Sequence, residues 1–250
     1  MARCFLHGYG SCGGKVSAEH YISKTVLKGI SGNGSVQIGG LPWQPKQKLQ
    51  SIGIQSLVSN VLCETHNRRL TGLDSAAGTF FRAVDAADKR PATLPAITTV
   101  DGTLIERWFL KVMCGLAAKV GFNNSTVPEK WKQMLSGEPW PNGWGLYVPT
   151  PTRSQVLATE FYLETLVNPD TREVKAANLR VAGVCFSLLL GRPDSPAAWG
   201  IYRPRGLIFR NEQNEKQIEF AWPVDTDQVV IYNKVGISKA RAPQWKEWKE

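Results

Sequence analysis

Two short blocks of the chain hold most of the side chains that could bind a metal ion. The first runs Cys4-x2-His7-Gly8, with Cys12 behind it and Glu19-His20 further on. The second runs Asn60-Val-Leu-Cys63-Glu-Thr-His66-Asn67-Arg68-Arg69. All three histidines and three of the five cysteines fall in these blocks. A Cys-x2-His pair on one tight turn offers a thiolate and an imidazole to a single ion, and two such turns supply the tetrahedral set that structural zinc prefers. Cys4, Cys63 and His66 are the expected ligands. The fourth place is open between Cys12, a thiolate, and His7, which has the knuckle spacing and a following glycine.

The acidic-His pair Glu19-His20 and the return Asn60-Val-Leu-Cys63-x-x-His66-Asn67-Arg68 resemble the HNH nucleases of the ββα-metal fold, in particular those whose catalytic module is braced by a structural zinc. The resemblance covers roughly residues 3–82. It implies that His20 is the general base, since an imidazole pKa near 6.5 suits proton abstraction at neutral pH. It implies that Glu19 and Asn67 hold one catalytic Mg2+ or Mn2+, hard oxygen donors for a hard ion; the family more often has Asp or His where this chain has Glu19. Asn60, with Ser59 as its rival, would orient the histidine, and Asp74 could assist the metal. Arg68, Arg69 and Arg82 would face the phosphates of duplex DNA. The implied activity is metal-dependent cleavage or nicking of DNA, in a setting such as phage defence or restriction. A zinc-braced nucleic-acid-binding protein without catalysis is the alternative. Glu19, His20 and Asn67 discriminate, because a decayed core has no need of all three.

These residues need elements to position them. Val16–Ile22 reads as a short strand and residues 29–50, rich in Gly and Pro, as a long loop with a short strand at Val36–Ile38. Leu70, Leu73, Ala77, Phe80, Phe81 and Val84 recur at helical spacing, predicting a helix over 68–84. Residues 89–102 read as a linker. Thr103–Val120 has the broad apolar stripe of a helix, and a short helix is expected over Pro128–Leu135. Strands are expected over Val156–Val167, Leu179–Leu190, Ala198–Ile201, Leu207–Arg210 and Gln217–Trp222. Trp140 and Trp144 lie in a turn-rich segment, as stacking platforms for bases or as core. The expected class is α+β: a zinc-braced ββα module over residues 1–88, then a helix-then-antiparallel-sheet domain over 103–250 for recognition, regulation or docking of a protein partner.

The formal net charge is +9. Residues 1–100 carry 11 Lys/Arg against 5 Asp/Glu, and such an excess favours polyanionic partners. The longest apolar run, Val181–Leu190, is far short of the roughly 20 residues that span a bilayer, so no membrane partner is expected. Cys114 and Cys185 lie in apolar runs and read as buried small hydrophobes. Cysteines used for metal rather than disulfides point to a reducing cytoplasm.

Overall fold

The computed structural model describes residues 4–31, 34–45, 48–89, 97–120, 127–149, 160–168, 170–171, 173–181, 183–210, 215–224 and 226–233. Among them are four α-helices and several sheets, an α+β arrangement. Both chemical blocks sit on one small unit. Strand β1 (Val16–His20) pairs antiparallel with β4 (Val58–Cys63) in a two-stranded sheet, with a register shift between Ser17 and Ala18. Helix α2 (Glu64–Lys89) begins at the residue after β4, and the six apolar positions named above are all buried on it. It starts four residues before the helix expected from 68, and the cause is tertiary. The N–H groups of Glu64 and Thr65, orphans at a helix start, donate to the carbonyls of Lys15 and Gly13 at 3.0 and 3.2 Å. Gly78 does not break the helix. A Cβ there would stand 3.0 Å from Thr25, so the bare backbone lets α1 (Lys24–Ile30) approach.

The segment read as a long loop is more ordered than its composition suggests. It contains the end of α1, then β2 (Ser35–Gly39) and the start of β3 (Leu49–Gly53), which pair as an antiparallel hairpin. Val36 and Ile38 are buried, while β3 is mostly exposed and carries only Leu49 and Ile52 as apolar residues, too few to mark it. Gln44 ties the hairpin loop, accepting from the Leu41 N–H and donating to the Ile38 carbonyl, each at 3.0 Å.

The expected linker contains a further strand, β5 (Ile97–Asp101), and Asp101 then caps α3 (Gly102–Val120) by accepting from the Leu104 N–H at 3.1 Å. Residues 90–96 of that linker lie outside the described residues. Helix α3 is buried nearly all round, the behaviour of a helix that runs through a core rather than over one. Two of its buried residues are charged, Glu106 and Lys111. After α4 (Glu129–Ser136) the chain is β-rich. It forms β6 (Gly145–Val148), β7 (Glu160–Val167), β8 (Val174–Val181), β9 (Val184–Leu189), β10 (Ile201–Tyr202), β11 (Gly206–Arg210), β12 (Glu215–Ala221) and β13 (Val229–Asn233). The single strand expected over Leu179–Leu190 is two halves of a hairpin, turned at Gly183 with φ +78°. A 3-10 turn, Pro196–Trp199, takes the first half of the strand expected over Ala198–Ile201, and Ile201 begins β10.

The two larger sheets are mixed rather than antiparallel. One has the order β10-β6-β9-β8-β7-β2-β3, with β2 and β7 parallel; the other is β13-β11-β12-β5, in which β11–β13 and β12–β5 are parallel. Parallel pairs join strands distant in sequence, and no local turn signal reports them. Glu106 fastens α3 to this region. Its carboxylate accepts from the Leu146 N–H at 2.7 Å and from Arg203 at 2.9 and 3.0 Å, while burial pushes its pKa up against those partners. Gly145, at φ +129°, makes the approach possible, since a Cβ would lie 2.3 Å from a Glu106 oxygen.

Residues of both expected segments line one buried cluster that runs from Cys4 to Tyr232. Phe80 of α2 joins its parts, with ring centroids 5.6 Å from Phe186 on β9 and 5.5 Å from Phe220 on β12. Phe80→Ala is expected to cost about 3–5 kcal/mol and to lower the melting temperature of the whole chain in one transition. A second, unshifted transition in calorimetry would show instead that the two segments unfold independently.

Candidate functional site

The loop before β1 turns twice on glycines, Gly8 and Gly10, both at φ +96°, where side-chain-bearing residues are strained. It brings Cys4 and Cys12 onto the junction of β4 and α2, where Cys63 ends the strand and His66 lies in the first turn of the helix. The ligand atoms of Cys4, Cys12, Cys63 and His66 all lie within 4.8 Å of one another. The three sulfurs stand 3.4, 3.6 and 3.3 Å from His66 Nδ1. A tetrahedron with Zn–S of 2.3 Å and Zn–N of 2.0–2.1 Å has S···N edges of about 3.5 Å, so this Cys3His set could hold a metal ion such as zinc. The other ring nitrogen, Nε2, bonds the Tyr9 carbonyl at 3.0 Å, which leaves Nδ1 with its lone pair toward the sulfurs. The fourth ligand position therefore belongs to Cys12. His7 is exposed and outside the cluster.

Burial raises the Cys63 thiol, but N–H groups of His66 and Gly13 donate to it and bring it down to about 6. Burial and the neighbouring Cys4 push Cys12 up to about 11. Thiolates this close repel one another unless a cation sits between them.

The second cluster lies on the face that β1 turns toward α2. Asn67, one residue past His66, donates from Nδ2 to Ser17 Oγ at 3.2 Å and also hydrogen-bonds the Glu19 carboxylate. Asp74, two turns along the same helix, accepts from Ser23, whose hydroxyl in turn accepts from Trp108 Nε1 at 2.6 Å. Between the two carboxylates sits Lys111 of α3, its Nζ 2.5 Å from Glu19 and 2.6 Å from Asp74. The lysine side chain is 2 % exposed, Glu19 12 % and Asp74 22 %. Burial raises the Glu19 pKa, and Lys111 and Asn67 pull it back down.

Sequence reasoning missed Lys111, although a signal was present. It falls at helical spacing between Trp108 and Gly115, inside a stripe that is otherwise apolar.

His20 follows Glu19 and so leaves the strand on the opposite side. Its Nε2 is buried with no hydrogen-bond partner. Burial, then the nearby Lys24 charge, lowers its pKa. Asn60 is exposed and pairs with Ala18 across the strands, whereas Ser59 is buried opposite Glu19. Of the expected phosphate-facing residues, Arg68, Arg69 and Arg82 are exposed on α2. Arg69 reaches back to the Tyr9 carbonyl at 3.4 Å and Arg82 to Thr79 at 3.1 Å. Trp140 and Trp144 pack against the core. Cys114 and Cys185 are buried, as expected.

No protein-family model matches the chain, and comparisons with curated proteins and with solved structures find no match. No helix among the described residues is long and apolar enough to cross a membrane.

Purified protein should carry about one equivalent of zinc by elemental analysis. Cys12→Ala and Cys63→Ala are each expected to lose it and to melt at lower temperature, because metal binding in such sites is part of the folding free energy. His7→Ala should keep it. Zinc lost from the His7 variant and retained in the Cys12 variant would reverse the ligand assignment.

Proposed function

We propose that this protein is a metal-dependent endonuclease of the HNH type that cleaves or nicks DNA. The observation that carries this reading is that Glu19, His20 and Asn67 belong to one unit of two antiparallel strands followed by a helix, with Asn67 bonding Glu19 and His20 Nε2 lacking a partner. Phosphodiester hydrolysis needs an activated water and a stabilised developing charge. His20 suits the first task. Its lowered pKa keeps the ring neutral at pH 7, and the buried Nε2 has no hydrogen-bond partner, so it can take a proton from a water that reaches it. A Mg2+ or Mn2+ ion held by Glu19 and Asn67 would supply the second, and a carboxylate with an amide oxygen fits such an ion in donor type. In this reading the zinc is structural: the cluster clamps β4 to α2, and Asn67 follows the zinc ligand His66 by one residue. Ser17 completes the alignment by bonding Asn67 across to β1. Exposed arginines on α2 and the positive charge of the first 100 residues suit a phosphate backbone. A place in phage defence or restriction comes from the resemblance alone.

One observation favours the second reading, a zinc-braced nucleic-acid-binding protein without catalysis. An ammonium, Lys111, already occupies the Glu19 carboxylate. Plasmid nicking with Mg2+ or Mn2+, against an EDTA control, separates the two. His20→Ala should keep its zinc and its fold and lose about 10²–10⁴-fold in rate. Since protonation removes the base and the His20 pKa lies below its ordinary 6.5, the acid limb of the rate profile should fall below pH 6.5. A folded His20→Ala variant that nicks like the parent would falsify the nuclease reading.

Binding makes a separate expectation. Arg68→Ala with Arg82→Ala should weaken duplex binding across sequences and flatten the salt dependence, by about one unit of slope for each phosphate no longer neutralised. An unchanged slope would take this face of α2 off the DNA.

A further inference from the structure

We infer that Lys111 is the resident cation of this site, and that a divalent ion must compete with its ammonium for Glu19 and Asp74. The inference rests on the nuclease reading of the same residues and adds a positioning residue to it, one that comes from α3, outside the segment the resemblance covers. The Lys111 Nζ lies 2.5 Å from a Glu19 oxygen and 2.6 Å from an Asp74 oxygen, with 2 % of its side chain exposed. The other Asp74 oxygen is held by Ser23, itself held by Trp108, so this carboxylate is locked toward the lysine. One Glu19 oxygen, Oε1, is engaged by the same ammonium. Two carboxylates against one ammonium leave a net negative charge, so the site keeps an attraction for a second cation while denying it the best oxygens. A lysine can yield where an arginine fork would not, because its charge rides on a flexible four-carbon stem.

Mn2+ binding to the zinc-loaded full chain tests this directly, followed by the electron paramagnetic resonance signal of the free ion and by melting temperature. Lys111→Met should melt below the parent without Mn2+, because two buried carboxylates then face each other unneutralised. It should bind Mn2+ about tenfold tighter or more, with a larger rise in melting temperature on adding the ion. Glu19→Gln in the same background should abolish the gain. Lys111→Arg keeps a cation in place and should bind Mn2+ as weakly as the parent. Where Lys111→Met does not fold, Lys111→Gln, whose neutral amide can still hydrogen-bond a carboxylate, carries the measurement, and it too should exceed the parent in affinity. Equal Mn2+ affinity in the parent and in the variants lacking the ammonium overturns the inference. Tighter Mn2+ binding with no nicking by any protein would leave the competition standing and remove the nuclease reading. Nicking with unchanged affinity would do the reverse.

Discussion

An ammonium buried in the middle of an apolar helix constrains this fold more than any other single contact. Lys111 lies on α3 among Trp108, Leu110, Val112 and Met113, all nearly inaccessible to water. Left alone there it would cost several kcal/mol. The carboxylates that meet it come from Glu19, 92 residues before it in sequence, and Asp74, 37 before it. Replacing such a pair by apolar groups of the same shape costs little, whereas removing one partner costs about 3–5 kcal/mol. The contribution is therefore geometric. One docking of α3 on β1 and α2 satisfies all three charges, and Trp108, one turn away, adds its N–H to the same chain through Ser23.

Helix α3 uses the device twice. Glu106 is buried on another side of the helix and is met by Arg203 and the Leu146 N–H. One end of the helix is thus tied to the β-rich part of the chain and its middle to the β1–β4–α2 unit. Arg203 takes a positive φ of 43° at the clamp and lies against the rings of Tyr202 and Trp222, at 5.0 and 5.6 Å. Cation–ring contacts of this kind help offset the backbone strain.

The Cys3His cluster works at the opposite edge of the same unit. It joins the loop before β1 to the junction of β4 and α2, and the loop carbonyls of Gly13 and Lys15 take up the first free N–H groups of the helix. Helix start, ligand set and the position of Asn67 are therefore one local problem with one solution. The second cluster inherits its alignment from it: Asn67 follows His66 in the first turn, and Asp74 lies two turns along.

The sequence by itself determined what depends on near neighbours. Soft ligands at knuckle spacing named Cys4, Cys63 and His66, and the 3.6-residue recurrence from Leu70 to Val84 and through Thr103–Val120 marked two helices. Alternating apolar stretches likewise marked β7, β11 and β12. Spacing allowed either Cys12 or His7 to complete the cluster; the loop that turns at Gly8 and Gly10 brings the Cys12 thiol to 3.6 Å from His66 Nδ1 and leaves His7 outside. The hairpin of β2 and β3 took its place from parallel pairing with β7, more than 100 residues away, where no local pattern reaches. The tertiary structure alone decided the partner of Glu19. A charge in an apolar stripe is visible in the sequence at Lys111, but the residue that must answer it is fixed by burial. Burial is a property of how distant segments pack, and periodicity along the chain does not carry it.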